Sequence, residues 1–135
     1  MKNIYIQILI SLVLAIASIN VQAQQDPNDC VEKIASEWGE VCPKCEYYKE
    51  NFKRSYEQTY RATFQNVCGA KVELKVAMQE ENGIWRTFPV KVLDPEQTFT
   101  AFACKGSGKY MYCVRPLDDR EIVLPTDQEI ITQYR

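Results

Sequence analysis

The chain has 135 residues, with 16 basic against 18 acidic side chains, six cysteines and no histidine. A net charge of −2 offers no concentrated positive face for nucleic acid, so no nucleic-acid partner is expected. The missing imidazole removes Ser-His-Asp and Cys-His nucleophile systems, histidine zinc sites and the commonest general base near neutral pH, which points away from an enzyme.

Residues 1–23 read as a secretory signal peptide. Lys2 supplies the positive start, Ile4 to Ile19 is nearly all apolar apart from Gln7, and Val21-Gln22-Ala23 is a small-x-small cleavage pattern. Cutting before Gln24 leaves residues 24–135 as a single disulfide-stabilised domain. No later segment is apolar enough to span a bilayer, so no membrane insertion is expected after cleavage, and the protein is read as secreted or periplasmic. All six cysteines (Cys30, Cys42, Cys45, Cys68, Cys104 and Cys113) lie in this part. An even count in a small exported chain implies a disulfide framework of three bridges whose pairing spacing alone does not choose. Three bridges at about 2–4 kcal/mol each would rival the net stability of a small domain.

After a polar lead-in, Asp29 with Glu32 forms a capping box. Val31, Ile34, Ala35, Trp38 and Val41 follow at helical steps, weakened at Gly39 and closed near Pro43. From Cys45 to about Gln58 a second helix is predicted, with Tyr48, Phe52 and Tyr56 as a core-facing stripe. Residues 24–58 are therefore read as helical and 59–125 as β-sheet.

The period then changes to two. Tyr60, Ala62 and Phe64 mark a first strand, and Val72, Leu74, Val76 and Met78 a second. Glu81-Asn82-Gly83 carries the Asn-Gly hairpin signature. A third strand runs from Ile84 to Leu93, with Pro89 forcing an edge or a bulge. Thr98 to Cys104 is a fourth strand, Lys105 to Lys109 a glycine-bearing turn, Tyr110 to Arg115 a fifth strand, and Ile122 to Leu124 a short sixth. The expected fold is α+β, with two short N-terminal helices and a five- or six-stranded antiparallel meander.

Cys42-Pro43-Lys44-Cys45 matches the dithiol spacing of thioredoxin-like redox sites, but no buried strand precedes it and no βαβ pattern follows, which favours structural bridges. Cys104 and Cys113 lie too far apart to complete a four-cysteine zinc site, and no metal or other cofactor is expected. Adjacent turn acids such as Glu80-Glu81 and Asp118-Asp119 show no general acid/base pairing. Lys105 and Lys109 could hold an anion in a glycine-bearing loop, although a solubilising hairpin tip is the simpler reading. Tyr110 and Tyr112 share a strand face opposite Cys113. If the cysteine side is core, these rings and Trp85 point outward as an aromatic surface; otherwise they cover a sheet face beneath the two helices. The functional expectation is an exported, non-enzymatic module that binds a protein or glycan through one sheet face. The alternatives are a thiol–disulfide oxidoreductase using Cys42 and Cys45, and a protease-resistant structural or inhibitory protein.

Overall fold

The structure, a computed structural model, describes residues 26–39, 42–55 and 58–133. The expected signal peptide, Val41 and Tyr56 lie outside the described residues. In chain order the strands are β1 (Val31–Trp38), β2 (Glu46–Lys49), β3 (Phe52–Ser55), β4 (Tyr60–Asn66) and β5 (Val72–Glu80). They continue with β6 (Trp85–Thr87), β7 (Lys91–Leu93), β8 (Thr98–Ala103) and β9 (Gly106–Pro116), and a short helix α1 (Asp127–Gln133) closes the described chain.

Two strands with period-two sequences organise everything else. Along β4, Tyr60, Ala62, Phe64 and Asn66 are buried while the intervening residues are half-exposed. Along β5, Val72, Leu74, Val76 and Met78 face the same interior. β4 is the centre of one antiparallel sheet, ordered β1-β4-β8. β5 is the centre of another, with β9 along one edge and β6 then β7 along the other. The two inner faces meet in one core with Val31, Leu93, Ala101, Ala103 and Val114. Thus antiparallel sheet dominates among the described residues, with one α-helix and two disulfides, and the α+β assignment holds at that level.

Several finer expectations are corrected. Residues 31–38 are a strand, because β4 offers a partner for the whole segment and Cys30–Cys68 ties its start to the end of β4. Only Val31 is buried along β1; Ile34 and Trp38 are about half exposed, so the helical spacing did not mark a buried face. The second predicted helix is the hairpin β2–β3, whose two-residue turn puts Glu50 and Asn51 at positive φ of 54° and 66°. That turn conformation suits the twist of a tight hairpin. It also brings Lys49 opposite Phe52, so the aromatic spacing spans a reversal of the chain and not a helical stripe. The single meander gives way to separate sheets because β8 pairs with β4 while β9 pairs with β5.

The third predicted strand divides into β6 and β7 around Phe88-Pro89-Val90, as a proline without an N–H requires. The turn expected at Lys105–Lys109 shrinks to Cys104-Lys105, and Gly106 to Lys109 extend β9. Gly106 is buried so close to β4 that a Cβ there would stand 2.6 Å from the Tyr60 Cβ. Ile122 to Leu124 form no strand; this segment leads to α1, where Thr126 and Glu129 make a reciprocal capping box at 2.7 and 3.3 Å. α1 buries Ile130, and its Asp127 pairs with the buried Lys75 on the outer face of β5.

Candidate functional site

The six cysteines divide unequally. Cys30 bridges Cys68 and Cys45 bridges Cys104, with Cα separations of 5.0 and 5.2 Å, while Cys42 and Cys113 are free thiols. The expected third bridge is absent because the remaining thiols belong to different surroundings. Cys113 stands on β9 opposite Lys75, on the outer face of its sheet, where burial pushes its thiol pKa up. Cys42 lies in a separate buried cluster with Cys45 and Phe102, against which Phe88 and Cys104 pack.

That cluster has a defined frame. Pro43–Cys45 is a single 3-10 turn, closed by the Cys45 N–H donating to the Cys42 carbonyl at 2.9 Å. The Cys104-Lys105 turn is held from two sides. On one side the Gly106 N–H donates to the Gln58 carbonyl at 3.0 Å and the Thr59 hydroxyl to the Cys104 carbonyl at 3.4 Å. On the other, the Lys105 N–H donates to the Glu80 carboxylate at 2.9 Å, and the Glu81 N–H to the Lys105 carbonyl at 2.6 Å. An open cleft of ≈ 530 Å³ borders Cys104, lined also by Glu80, Glu81, Asn82 and Lys105. Two cations lie over the Phe102 ring, Arg86 at 4.3 Å and Lys44 at 5.7 Å, and Arg86 Nη1 is 4.0 Å from Cys104 Sγ.

Of the two placements the sequence left open for Tyr110, Tyr112 and Trp85, the outward aromatic surface does not assemble. Tyr110 and Tyr112 lie on the inner side of their sheet, with ring centroids 5.7 and 5.4 Å from Phe64, because the Cys113 face is the outer one. The Tyr112 hydroxyl donates to the Val31 carbonyl at 3.3 Å, and Lys33 Nζ is 4.7 Å from the Tyr110 ring centre. Burial, then the neighbouring Tyr110, raises the Tyr112 pKa, as expected of a ring recruited to the core. Trp85 is on the opposite face of the same sheet, near Ile131 of α1. Lys105 is engaged at the Cys104 turn and Lys109 is exposed at the start of β9, so the two lysines frame no shared loop.

The exposed rings lie elsewhere. On the β2–β3 hairpin, Tyr48 is 76% and Phe52 65% exposed, with Tyr47 at 37%. Strand alternation and register place Tyr47 and Phe52 on one face of this ribbon and Tyr48 on the other. Neither hairpin strand pairs with any other strand among the described residues. Its base is fixed to the rest of the fold by Cys45–Cys104. Sequence reasoning placed Tyr48 and Phe52 on the core-facing stripe of a helix and so passed over them; the signal that could have found them was a run of aromatic and charged residues with no alternating apolar partner. Comparison with protein-family models, with curated proteins and with solved structures returned no match for this chain.

Proposed function

We propose that this chain is exported and acts as a non-enzymatic binding module that grips a protein partner with its β2–β3 arm. The observation that carries the reading is an arm that exposes Tyr47, Tyr48 and Phe52 and, among the described residues, shares no sheet with the main body. Exposed rings of this kind carry large contact area at low entropic cost and form the anchors of protein interfaces. Because the rings project from both faces of a narrow ribbon, they suit insertion into a groove of a partner protein. A sugar platform would need rings side by side on one flat surface. The sheet-face version of the idea loses its support once Tyr110 and Tyr112 pack on Phe64 and Trp85 lies on the other side.

Two disulfides join segments 38 and 59 residues apart, which fits an oxidising compartment. No helix of the described residues is long and apolar enough to cross a membrane. The test is site-specific photocrosslinking in the native cells, with a photoreactive phenylalanine analogue at Tyr48, at Phe52 and at the equally exposed control Val123. A discrete crosslinked protein from positions 48 and 52 that is absent from position 123 supports the arm. The same products from all three positions, or none from the arm, refute it.

A further inference from the structure

The Cys42-Pro43-Lys44-Cys45 turn gathers three sulfurs where only two can be bonded. Cys42 is 7% exposed and shares its buried cluster with both partners of the Cys45–Cys104 bridge. The hydrogen-bonded turn between Cys42 and Cys45 holds their Cα atoms within the roughly 7 Å of a β-turn, inside the range a disulfide can span. On the far side of the bridge, Arg86 lies beside Cys104 Sγ and the cleft opens it to solvent.

We propose that Cys42, Cys45 and Cys104 form an intramolecular thiol–disulfide exchange site. The Cys42 thiol gives its proton to water and the thiolate attacks Cys45 Sγ. The Cys42–Cys45 bond forms, the Cys45–Cys104 bond breaks, and Cys104 leaves as a thiolate facing Arg86, regaining a proton from solvent. One disulfide and one thiol exist before and after, so the step needs no oxidant or reductant. Burial shields Cys42 from bulky external thiols but not from the bridge in its own cluster, so the chemistry is directed inward. The consequence is conformational. In the exchanged form the arm is no longer bonded to the Cys104-Lys105 turn and is held by a local four-residue loop alone, while Cys104 becomes a reactive thiol at the edge of the cleft. The inference needs no partner and stands apart from what the arm binds.

Non-reducing peptide mapping of the purified oxidised protein tests it. Trypsin cuts after Lys44, so a Cys42–Cys45 bridge appears as a linked pair of peptides covering 34–44 and 45–49. During alkylation at pH 8, label is expected to accumulate on Cys104 and overtake that on Cys42, with the linked pair rising in step at a rate independent of protein concentration. Label on Cys42 with Cys45–Cys104 intact throughout, or a rate that scales with concentration, overturns the proposal. Arg86→Gln should slow Cys104 labelling by roughly threefold, the scale of one partly exposed ionic contact, and leave Cys113 unchanged; equal slowing at both sites removes Arg86 from the leaving-group role. A Cys104→Ser variant should place Cys45 in a bridge with Cys42, and Cys45 left as a thiol or blocked by glutathione in the folded variant overturns the proposal. If that variant fails to fold, the wild-type labelling time course decides the matter alone.

Discussion

Asn66→Asp changes one atom at the most demanding polar position in the molecule. The Asn66 side chain is fully buried, donating through Nδ2 to the Ala70 carbonyl at 2.8 Å and the Leu93 carbonyl at 3.1 Å. Its Oδ1 accepts from the Cys68 N–H at 3.0 Å, so it joins the end of β4, the Cys30–Cys68 bridge and β7. A neutral aspartic acid keeps the acceptor and donates to only one carbonyl, leaving one bond unmade at about 1–2 kcal/mol. An ionised one faces two carbonyl oxygens with no donor for either. If the folded state keeps it protonated to neutral pH, the gap of ~3 units from an ordinary aspartate adds about 4 kcal/mol at pH 7. The folded pKa is raised, so the extra penalty is absent below the unfolded value near 4 and grows as pH rises above it. Urea unfolding of variant and wild type, followed by Trp38 and Trp85 fluorescence at pH 4 and pH 7, gives the difference directly. Complete unfolding at pH 7 with a folded variant at pH 4 has the same meaning. A cost that is equal at both pH values, or below about 1 kcal/mol at pH 7, would refute the assignment of Asn66 as a buried double donor.

Gly106→Ala should cost about 1–3 kcal/mol by overpacking against Tyr60 and Ala103, seen as a lower denaturant midpoint at unchanged slope. Arg115 beside Glu73 holds that carboxyl below its ordinary pKa. Its stabilisation is therefore present above the unfolded value near ~4.3 and lost as pH falls through the folded value, so Glu73→Gln should destabilise at pH 7 and converge on wild type near pH 2 in urea titrations. Lys75→Met should stay within about 1 kcal/mol of wild type, because an apolar chain of similar volume replaces the buried ammonium and the Asp127 carboxylate left behind is 61% exposed, whereas Asp127→Ala strands the buried ammonium and should cost more and increase hydrogen exchange across α1. Removing the Cys45–Cys104 bridge by double serine substitution should cost about 4 kcal/mol from its 59-residue separation and bring amides 46–55 to near-solvent exchange rates while β4 and β5 stay protected.

How much of this was legible depended on what each segment had to satisfy. β4 and β5 are buried on one face along their whole length, so alternation had to be written into them and could be read back. The Asn82-Gly83 turn and the break at Pro89 were legible because each follows from the backbone of a single residue: Gly83 has φ 84°, and Pro89 has no N–H to pair. β1 was not legible because an edge strand with one buried residue needs no alternation, and local helical spacing was overridden by pairing with β4. The capping box shows the same competition. Asp29 and Glu32 carry the pattern without an α-helix, since Cys30 is bonded to Cys68. Thr126 and Glu129 carry it truly, with Ile130 free to dock. The candidate site was hidden for a related reason. An even cysteine count says that bridges exist and nothing about which thiols stay unpaired, and that depends on which sheet faces the chain brings together.

The two bridges lie where non-covalent packing is thinnest. Cys30–Cys68 holds an edge strand that buries one side chain, and Cys45–Cys104 holds a hairpin that shares no sheet with the body. Their loop-closure terms, from separations of 38 and 59 residues, differ by only about 0.4 kcal/mol, so loop length does not distinguish their roles. What surrounds them does. The first is braced by the Asn66 network and by the Val67 N–H donating to the Cys30 carbonyl at 2.8 Å, whereas the second shares its cluster with a third sulfur. A covalent tie braced by hydrogen bonds fixes a strand; one packed against an unpaired thiol sets a position that can change. The arm that presents Tyr48 and Phe52 therefore hangs from the one bond in this fold that has an alternative partner.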